Sequence, residues 1–208
     1  MAKARKVFQK LASLLTCPQL SFHDRLRTFY TCVGASALWC SGCWVPSVQC
    51  QQLLCGQENR WLRRMQNVRR RPTQDWVEWY RDCKREGHLE RVAARLPALW
   101  HRAAASIHGW AGHLARKADG HAAKDVVAWR SINWWRDLQS WAPTSGLTGW
   151  RHPRQNWRVG WEQVLADTYG DRWRDEASRS RESWRSGSPA FVRECQRRWS
   201  GPPLSRHK

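Results

Sequence analysis

The spacing of tryptophan and other large apolar residues constrains this chain most strongly, because it repeats with the period of an α-helix. Many of the 17 tryptophans lie three or four positions from another apolar residue, which places both on one helical face. Alternating strand patterns of useful length are absent. We therefore predict an all-α fold, an irregular multi-helix bundle with a looser C-terminal helical segment, in which most tryptophans pack. The clearest examples are Trp76 with Trp79, Trp134 with Leu138 and Trp141, and Trp157 with Trp161 and Leu165.

Local signals set the predicted ends of the helices. Ser21 and Thr73 are suitable caps for the second and fourth helices, and Gly87 ends the fourth. Gly170 separates two later helices, and Pro189 occupies the favoured first position of the last one. The predicted helices cover residues 3–16, 21–43, 47–68, 73–87, 89–96, 98–117, 122–141, 157–169, 171–185 and 189–199.

The chain divides into regions of different character. Residues 142–156 contain two prolines, two glycines and no apolar periodicity, which is typical of a linker or a long loop. The predicted regions are basic helices over residues 1–71, a Trp-rich helical region over 72–141, the linker over 142–156, C-terminal helices over 157–200 and a disordered tail over 201–208.

The charge of the chain favours a polyanionic partner. It has 36 Lys and Arg residues against 17 Asp and Glu, a formal net charge of +19. Such an excess favours nucleic acid first and an anionic membrane surface second, whereas an ordinary solvated surface mixes both signs more evenly. Residues 1–71 hold 12 of the basic residues and only two acids, so we expect the cationic surface to be richest there.

A cluster of arginines lies on and after the third predicted helix. Three of them recur at helical spacing on one face, and three more follow in a row, with Glu58 the only acid nearby. We predict that this helix lies along a phosphate backbone, the alternative being a solvated face. The six residues are Arg60, Arg63, Arg64, Arg69, Arg70 and Arg71.

Four cysteines raise the alternative of a zinc site. Cys40, Cys43, Cys50 and Cys55 lie within 16 residues, but zinc pairs normally lie on turns and these fall in predicted helices. No secretory signal precedes them, so we expect free thiols in an intracellular protein of the nucleus or cytoplasm, not a secreted one. The uncharged stretch 28–57 is predicted to be a buried core helix and not a membrane span.

Recognised catalytic motifs are absent from the sequence. It holds no Asp-Asp dipeptide, no Gly-rich phosphate loop, no Gly-x-Ser-x-Gly and no His-Glu-x-x-His. His108 and His113 are five residues apart, so they do not share a helical face as paired metal ligands would. We therefore predict no catalytic residues, no cofactor and no small-molecule substrate for this chain.

An ordered set of motifs resembles the region after the polymerase palm of LINE-type (non-LTR) retrotransposon reverse transcriptases. The string Trp-Ala-Gly-His-Leu-Ala-Arg at residues 110–116 is similar to the family's W-x-G-H-x-x-R signature. Residues 37–44 depart from the family's L-Y-G-x-E-x-W by placing cysteines at two positions. The resemblance covers about residues 7–140, through segments 20–27, 37–44, 57–65, 75–79, 107–116 and 129–136.

The resemblance implies a nucleic-acid-binding role without catalysis. It corresponds to the thumb and the following domain, which grip RNA and the template–primer duplex, so we expect this chain to be a fragment with no polymerase activity of its own. The palm, with its Tyr-x-Asp-Asp site and its magnesium, would lie upstream of the matching segment. Gly109 and Gly112 would then permit close backbone approach, with His113 and Arg116 near the nucleic acid.

Two alternatives remain open from the sequence. The chain could be a non-catalytic helical interaction module or an inert relic of a mobile element whose charge is inherited and unused. It could also be a zinc-dependent nucleic-acid-binding domain that uses the four cysteines named above.

Overall fold

The computed structural model of the chain describes residues 1–44, 48–122 and 161–199. Within these ranges the regular secondary structure is helical and contains no β-strand, which confirms the predicted all-α fold. The predicted helix over 122–141, with its motif at 129–136, lies almost wholly outside the described residues. The linker over 142–156 and the tail over 201–208 also lie outside them.

Ten α-helices lie within the described ranges, and two short helical segments of other types accompany them. A π-helix spans Phe29–Gly34 and a 3₁₀ turn spans Ser41–Cys43. The α-helices are α1 (Ala2–Lys10), α2 (Ala12–Leu15), α3 (Phe22–Thr28), α4 (Ala35–Ala37), α5 (Val48–Gln66), α6 (Trp76–Ala93), α7 (Leu99–Ala115), α8 (Trp161–Tyr169), α9 (Trp173–Arg179) and α10 (Arg181–Trp199).

The chain forms two compact units. The first comprises Met1–Ser41 and Val48–Ala103, and the second comprises Gly42–Ser47 and Ala104–Lys208. Helix α7 begins in the first unit and continues into the second. Residues 72–103, predicted to begin a separate Trp-rich region, pack within the first unit, where α6 lies against α5.

Three aromatic side chains form the centre of the first unit. The ring of Trp61 stacks on that of Phe8 at a centroid distance of 5.9 Å, and Phe29 meets Trp61 edge-on at 5.6 Å. All three are almost completely buried. Aromatic rings of this size dominate the apolar area that a small core removes from water, so this cluster joins α1, the π-helix and α5.

Arg25 is a buried cation that satisfies backbone carbonyls. Its guanidinium donates to the carbonyl of Leu15 at 3.3 Å and of Met65 at 2.5 Å, and its Nε donates to Leu20 at 3.1 Å. The first two carbonyls lie at the C-terminal ends of α2 and α5, where carbonyls lack intrahelical donors and favour a positive charge. Arg25 therefore ties two helix ends to α3.

Glu58 is a buried acid that caps a helix. Its carboxylate accepts a hydrogen bond from the hydroxyl of Tyr30 and another, at 3.2 Å, from the backbone N–H of Leu99, the first residue of α7. The guanidinium of Arg102 donates to the carbonyl of Tyr30 at 3.0 Å. Burial raises the pKa of Glu58, although these hydrogen bonds and the nearby arginines partly oppose the shift.

The second predicted helix starts as expected but ends earlier. Ser21 caps α3, since its hydroxyl oxygen accepts from the backbone N–H of Asp24 at 3.1 Å. The helical path then widens into the π-helix and ends after Ala37, not near Cys43. Cys40 has a φ of 57°, a left-handed conformation that interrupts a helix.

The start of α6 differs from the prediction. Asp75, not Thr73, is the N-cap, because its carboxylate accepts hydrogen bonds from the backbone N–H groups of Val77 and Glu78, both at 2.9 Å. These bonds hold the pKa of Asp75 below its usual range. A carboxylate is also favoured at this end of a helix by the macrodipole.

Gly87 was predicted to end the fourth helix. It lies instead within α6, at the contact of α6 with α5. A Cβ at Gly87 would lie 3.2 Å from Nε2 of Gln66 and 3.5 Å from Cβ of Leu62. Gln66 also donates to the carbonyl of Cys83 at 2.9 Å. The glycine therefore permits close helix packing. Residues 89–93 of the separate helix predicted over 89–96 belong to α6, which ends at Ala93.

The second unit contains α8, α9 and α10 packed with the later part of α7. Gly170 separates α8 from α9 with a φ of 82°, as predicted. Pro189 lies inside α10 and not at its start, because the helix begins at Arg181. The ring leaves the carbonyl of Arg185 without its usual donor four residues on. The buried side chains of these three helices are Val164, Leu165, Trp173, Ala177, Trp184, Phe191 and Cys195.

The uncharged stretch over 28–57 is divided among several helical segments. The π-helix, α4 and the 3₁₀ turn follow one another, and α5 begins at Val48. Among the described residues, no helix combines the length and the apolar character needed to cross a membrane.

We expect Glu58 to make the stability of the chain depend on pH. Its pKa is raised above 4.5 in the folded state, so the folded state holds a proton that the unfolded state releases, and the free energy of unfolding falls as pH rises through that window. In E58Q this contribution should disappear. The free energy of unfolding of the wild type and of E58Q should be measured by urea unfolding between about pH 4 and pH 8. The wild-type value minus the E58Q value should decrease as pH rises. A difference that stays constant over this range would contradict the prediction.

Candidate nucleic-acid interface

Helix α5 carries the predicted arginine cluster. Its buried face comprises Leu54, Gln57, Glu58, Trp61, Leu62 and Met65. Arg60 and Arg64 are exposed and Arg63 is half-buried, so packing of the apolar face presents all three guanidinium groups on the other side. The spacing of these arginines at i, i+3 and i+4 was the sequence signal for this face, and its role in binding stays a prediction.

A groove of about 500 Å³ lies beside this face of α5. Four arginines line it: the three above and Arg5 of α1. Its apolar lining includes the exposed Val68 and the almost completely buried Phe8 and Trp61, and no acidic residue lines it. The remaining polar residues of the lining are the amides Gln9, Gln57 and Asn67. We call this site the arginine groove.

Arg5 is a groove residue that sequence reasoning missed. Its Nη2 lies 3.5 Å from Oε1 of Gln57 on α5, across a separation of 52 residues. The only sequence signal was the basic, amphipathic character of the first helix, which does not indicate its neighbour. The contact between α1 and α5 depends on the stacking of Phe8 on Trp61.

Aromatic rings, and not carboxylates, hold two of these arginines. The guanidinium carbon of Arg63 lies 4.9 Å from the ring centroid of Tyr80 and 5.7 Å from that of Trp79, and Arg64 lies 5.4 Å from Phe8. Such contacts orient a guanidinium without neutralising it. In the described part of the chain, no ion pair with a carboxylate involves Arg63 or Arg64.

The consecutive arginines lie on the connection between α5 and α6 and do not line the groove. Arg69, Arg70 and Arg71 are all exposed. Arg70 donates to the carbonyl of Gln74 at 2.6 Å, within the turn that precedes α6. They add positive charge to the same unit, immediately before the first turn of α6.

His108, in the second unit, is a buried packing residue. Its ring stacks on that of Trp184 at 4.2 Å, and its Nε2 lies 3.0 Å from the hydroxyl of Tyr169. That hydroxyl donates to the carbonyl of Gly187 at 2.6 Å, so its oxygen is left to accept from a neutral histidine protonated at Nε2. Burial lowers the pKa of His108 to about 4.

Gly112 and Gly109 have different surroundings. A Cβ at Gly112 would lie 2.2 Å from Nε1 of Trp184, whose indole donates to the carbonyl of His108 at 2.9 Å. The close approach at Gly112 is therefore made by a tryptophan of the same chain, and Gly112 is buried. Gly109 is exposed and a Cβ there would meet nothing within 4 Å.

His113 and Arg116 lie on the surface of the second unit. The ring of His113 stacks on that of Trp110 at 5.4 Å, and Arg116 donates to the carbonyl of Ala177 at 2.8 Å. Burial lowers the pKa of Arg116, and the nearby charges of Arg181 and Arg185 lower it further. These three arginines form a second cationic cluster, which belongs to the second unit.

The four cysteines of the zinc alternative differ in exposure. Cys40 and Cys43 are exposed, while Cys50 and Cys55 are half-buried on α5. Burial raises the pKa of the thiols of Cys50 and Cys55, which disfavours the thiolate that binds metal. Among the described residues, no group of three or more His, Cys, Asp or Glu side chains could hold a metal ion.

Comparison with known proteins finds no similar sequence or fold: no protein-family model, no curated protein and no solved structure matches the chain. The assignment to the reverse-transcriptase family therefore stays a prediction that rests on the ordered motifs.

Two glycine substitutions on α7 should have opposite effects. Gly112→Ala should destabilise the chain by about 1–3 kcal/mol, because the added methyl displaces Trp184 from its stack and hydrogen bond. Gly109→Ala fills open space in a helix and should stabilise it by roughly 0.5–1 kcal/mol. Thermal and urea unfolding of both variants measures this; equal effects would show that Trp184 does not pack on Gly112.

The acid stability of the second unit should depend on His108. Its pKa is about 4 when folded and 6.5 ordinarily, so the unfolded state binds the additional proton, and stability is lost as pH falls from about 6.5 to about 4. His108→Gln should flatten this dependence, and a variant that kept the wild-type dependence would contradict the prediction. Urea unfolding followed by tryptophan fluorescence across this pH range provides the measurement.

Proposed function

We propose that this chain binds the sugar–phosphate backbone of RNA or of an RNA–DNA duplex through the arginine groove. The observation that carries the proposal is the convergence of four arginines from two helices on one groove without a lining acid. A guanidinium offers five N–H donors in a planar fork that matches phosphate oxygens. The groove therefore presents several guanidinium groups that can bind phosphate, and no acid in its lining neutralises them.

The other lining groups favour recognition of the backbone over recognition of sequence. Gln9, Gln57 and Asn67 are neutral amides that can hydrogen-bond phosphate or ribose oxygens. Phosphate contacts position a nucleic acid but do not discriminate its bases. Binding in the groove is thus mainly electrostatic, with affinity that falls steeply as salt increases.

The second unit offers additional support for a polyanionic partner. Arg116 lies close enough to Arg181 and Arg185 for their charges to lower its pKa, and both of these neighbours are exposed. Asp119 and Asp175 line the same depression as Arg116 and offset part of this positive charge, and the remainder favours binding of a counter-charge. A nucleic acid would supply that counter-charge.

The family resemblance gives this binding a biological setting. As part of a LINE-type reverse transcriptase, the chain would act in the thumb region, in the nucleus or cytoplasm, gripping RNA or the template–primer duplex. Catalytic carboxylates and magnesium would belong to a palm, for which this sequence holds no matching motif. The chain would contribute binding and not polymerisation.

Neutralising the groove should weaken binding and reduce its dependence on salt. In the double variant Arg60→Gln with Arg64→Gln, both side chains are exposed, so folding should be preserved. Loss of two phosphate contacts should lower affinity by about tenfold per contact. The slope of log affinity against log salt should fall in magnitude by roughly 1.5. Fluorescence anisotropy with a short RNA and an RNA–DNA duplex measures both quantities.

The control is Arg27→Gln, an exposed arginine of α3 that does not line the groove. It removes one charge from the same unit and should change the slope little. Absence of RNA and duplex binding by the wild type at low salt would contradict the proposal. An equal loss from the control would show that net charge, and not the groove, determines the affinity.

A further inference from the structure

Trp76 is a large aromatic side chain left unexpectedly exposed. The helical spacing of Trp76 and Trp79 predicts that both pack in the core, but Trp76 is 55% exposed. It occupies the first turn of α6, before the part of the helix around Cys83 and Gly87 that packs on α5. The prediction of a packing role was therefore wrong for Trp76.

Trp76 is held in place by contacts that lead to the arginine groove. Its ring stacks on that of Tyr80 with centroids 5.3 Å apart and planes 14° apart. The guanidinium of Arg63 lies 4.9 Å from the Tyr80 ring. Arg63 and its second ring partner, Trp79, both line the groove. A series of flat groups thus extends from the groove to an exposed indole.

We infer that the groove takes a single-stranded nucleic acid, RNA or DNA, one of whose unpaired bases stacks on Trp76. This inference rests on the proposed function, specifies a single strand in place of the duplex, and admits DNA beside RNA. An aromatic platform beside cationic groups is the usual arrangement for binding single strands, because each nucleotide brings one base and one phosphate. Bases inside a duplex are stacked on their neighbours and cannot reach such a platform without unstacking.

Charge complementarity supports this occupant of the exposed indole. Arg63 lies beside Tyr80, and the exposed Arg69, Arg70 and Arg71 precede Trp76 on the same connection. A base on Trp76 would therefore have arginines on the preceding connection and beside Tyr80 available to its phosphates, although Asp75 and Glu78 also lie at this end of α6. The pre-formed stack on Tyr80 limits the motion of the indole, so less rotamer freedom is lost on binding.

The test compares Trp76→Leu with a matched control, Trp39→Leu. Trp39 is 70% exposed in the same unit, lies beneath the ammonium group of Lys3 at 5.3 Å, and does not line the groove. The probes are oligo(U) and oligo(dT) of about ten nucleotides, an abasic strand of the same charge, and a duplex of about twenty base pairs.

We expect Trp76→Leu to weaken binding of oligo(U), oligo(dT) or both by about 5- to 100-fold, with an unchanged salt slope, because only stacking is lost. Loss for oligo(U) alone would identify RNA as the ligand. Affinities for the abasic strand and the duplex should stay within about twofold of the wild type. Trp39→Leu should behave like the wild type with every probe.

Single-strand affinities within about twofold of the wild type in Trp76→Leu would overturn the inference. The proposed function would still stand if the groove variant, Arg60→Gln with Arg64→Gln, lost duplex or RNA binding in the same assay. A wild type that bound none of the four probes at low salt would overturn both.

Discussion

Burial of Trp61 between Phe8 and Phe29 is the interaction on which the arrangement of the first unit depends. An α-helix turns by about 100° per residue, so fixing one side chain of α5 fixes the direction of every other. With Trp61 inside, Glu58 lies on the buried side three residues earlier, and Arg60 and Arg64 lie outside. The same stack brings α1, and with it Arg5, to the arginine groove.

The orientation of α5 also separates its single acid from its arginines. Glu58 is the only acid of α5, and its carboxylate accepts hydrogen bonds from the hydroxyl of Tyr30 and the first backbone N–H of α7. It therefore does not neutralise the arginines, two of which rest on aromatic rings instead. A buried carboxylate would be unstable without those hydrogen bonds, so the fold of the unit and the cationic character of its groove depend on the same residue.

Local features of the fold could be predicted from sequence, and features that depend on a distant partner could not. The extent of α5, the cap at Ser21 and the helix end at Gly170 were all predicted. Apolar periodicity, side-chain capping and a glycine in the left-handed conformation each depend on only a few neighbouring residues. Gly87 predicts a helix end by its sequence context, because a glycine that permits helix packing looks the same in sequence as one that ends a helix. Its role depends on Leu62 and Gln66 of another helix.

The sequence by itself determined the helical class, the excess of positive charge and the arginine spacing on α5, since each is a property of neighbouring residues. Only the tertiary structure decided that Arg5 joins the groove, that Trp184 fills the space at Gly112, and that Trp76 stays exposed. These outcomes depend on contacts between segments up to 76 residues apart. Local periodicity indicates which side of a helix is apolar. It does not indicate which other segment packs on that side or how many of its residues that segment buries.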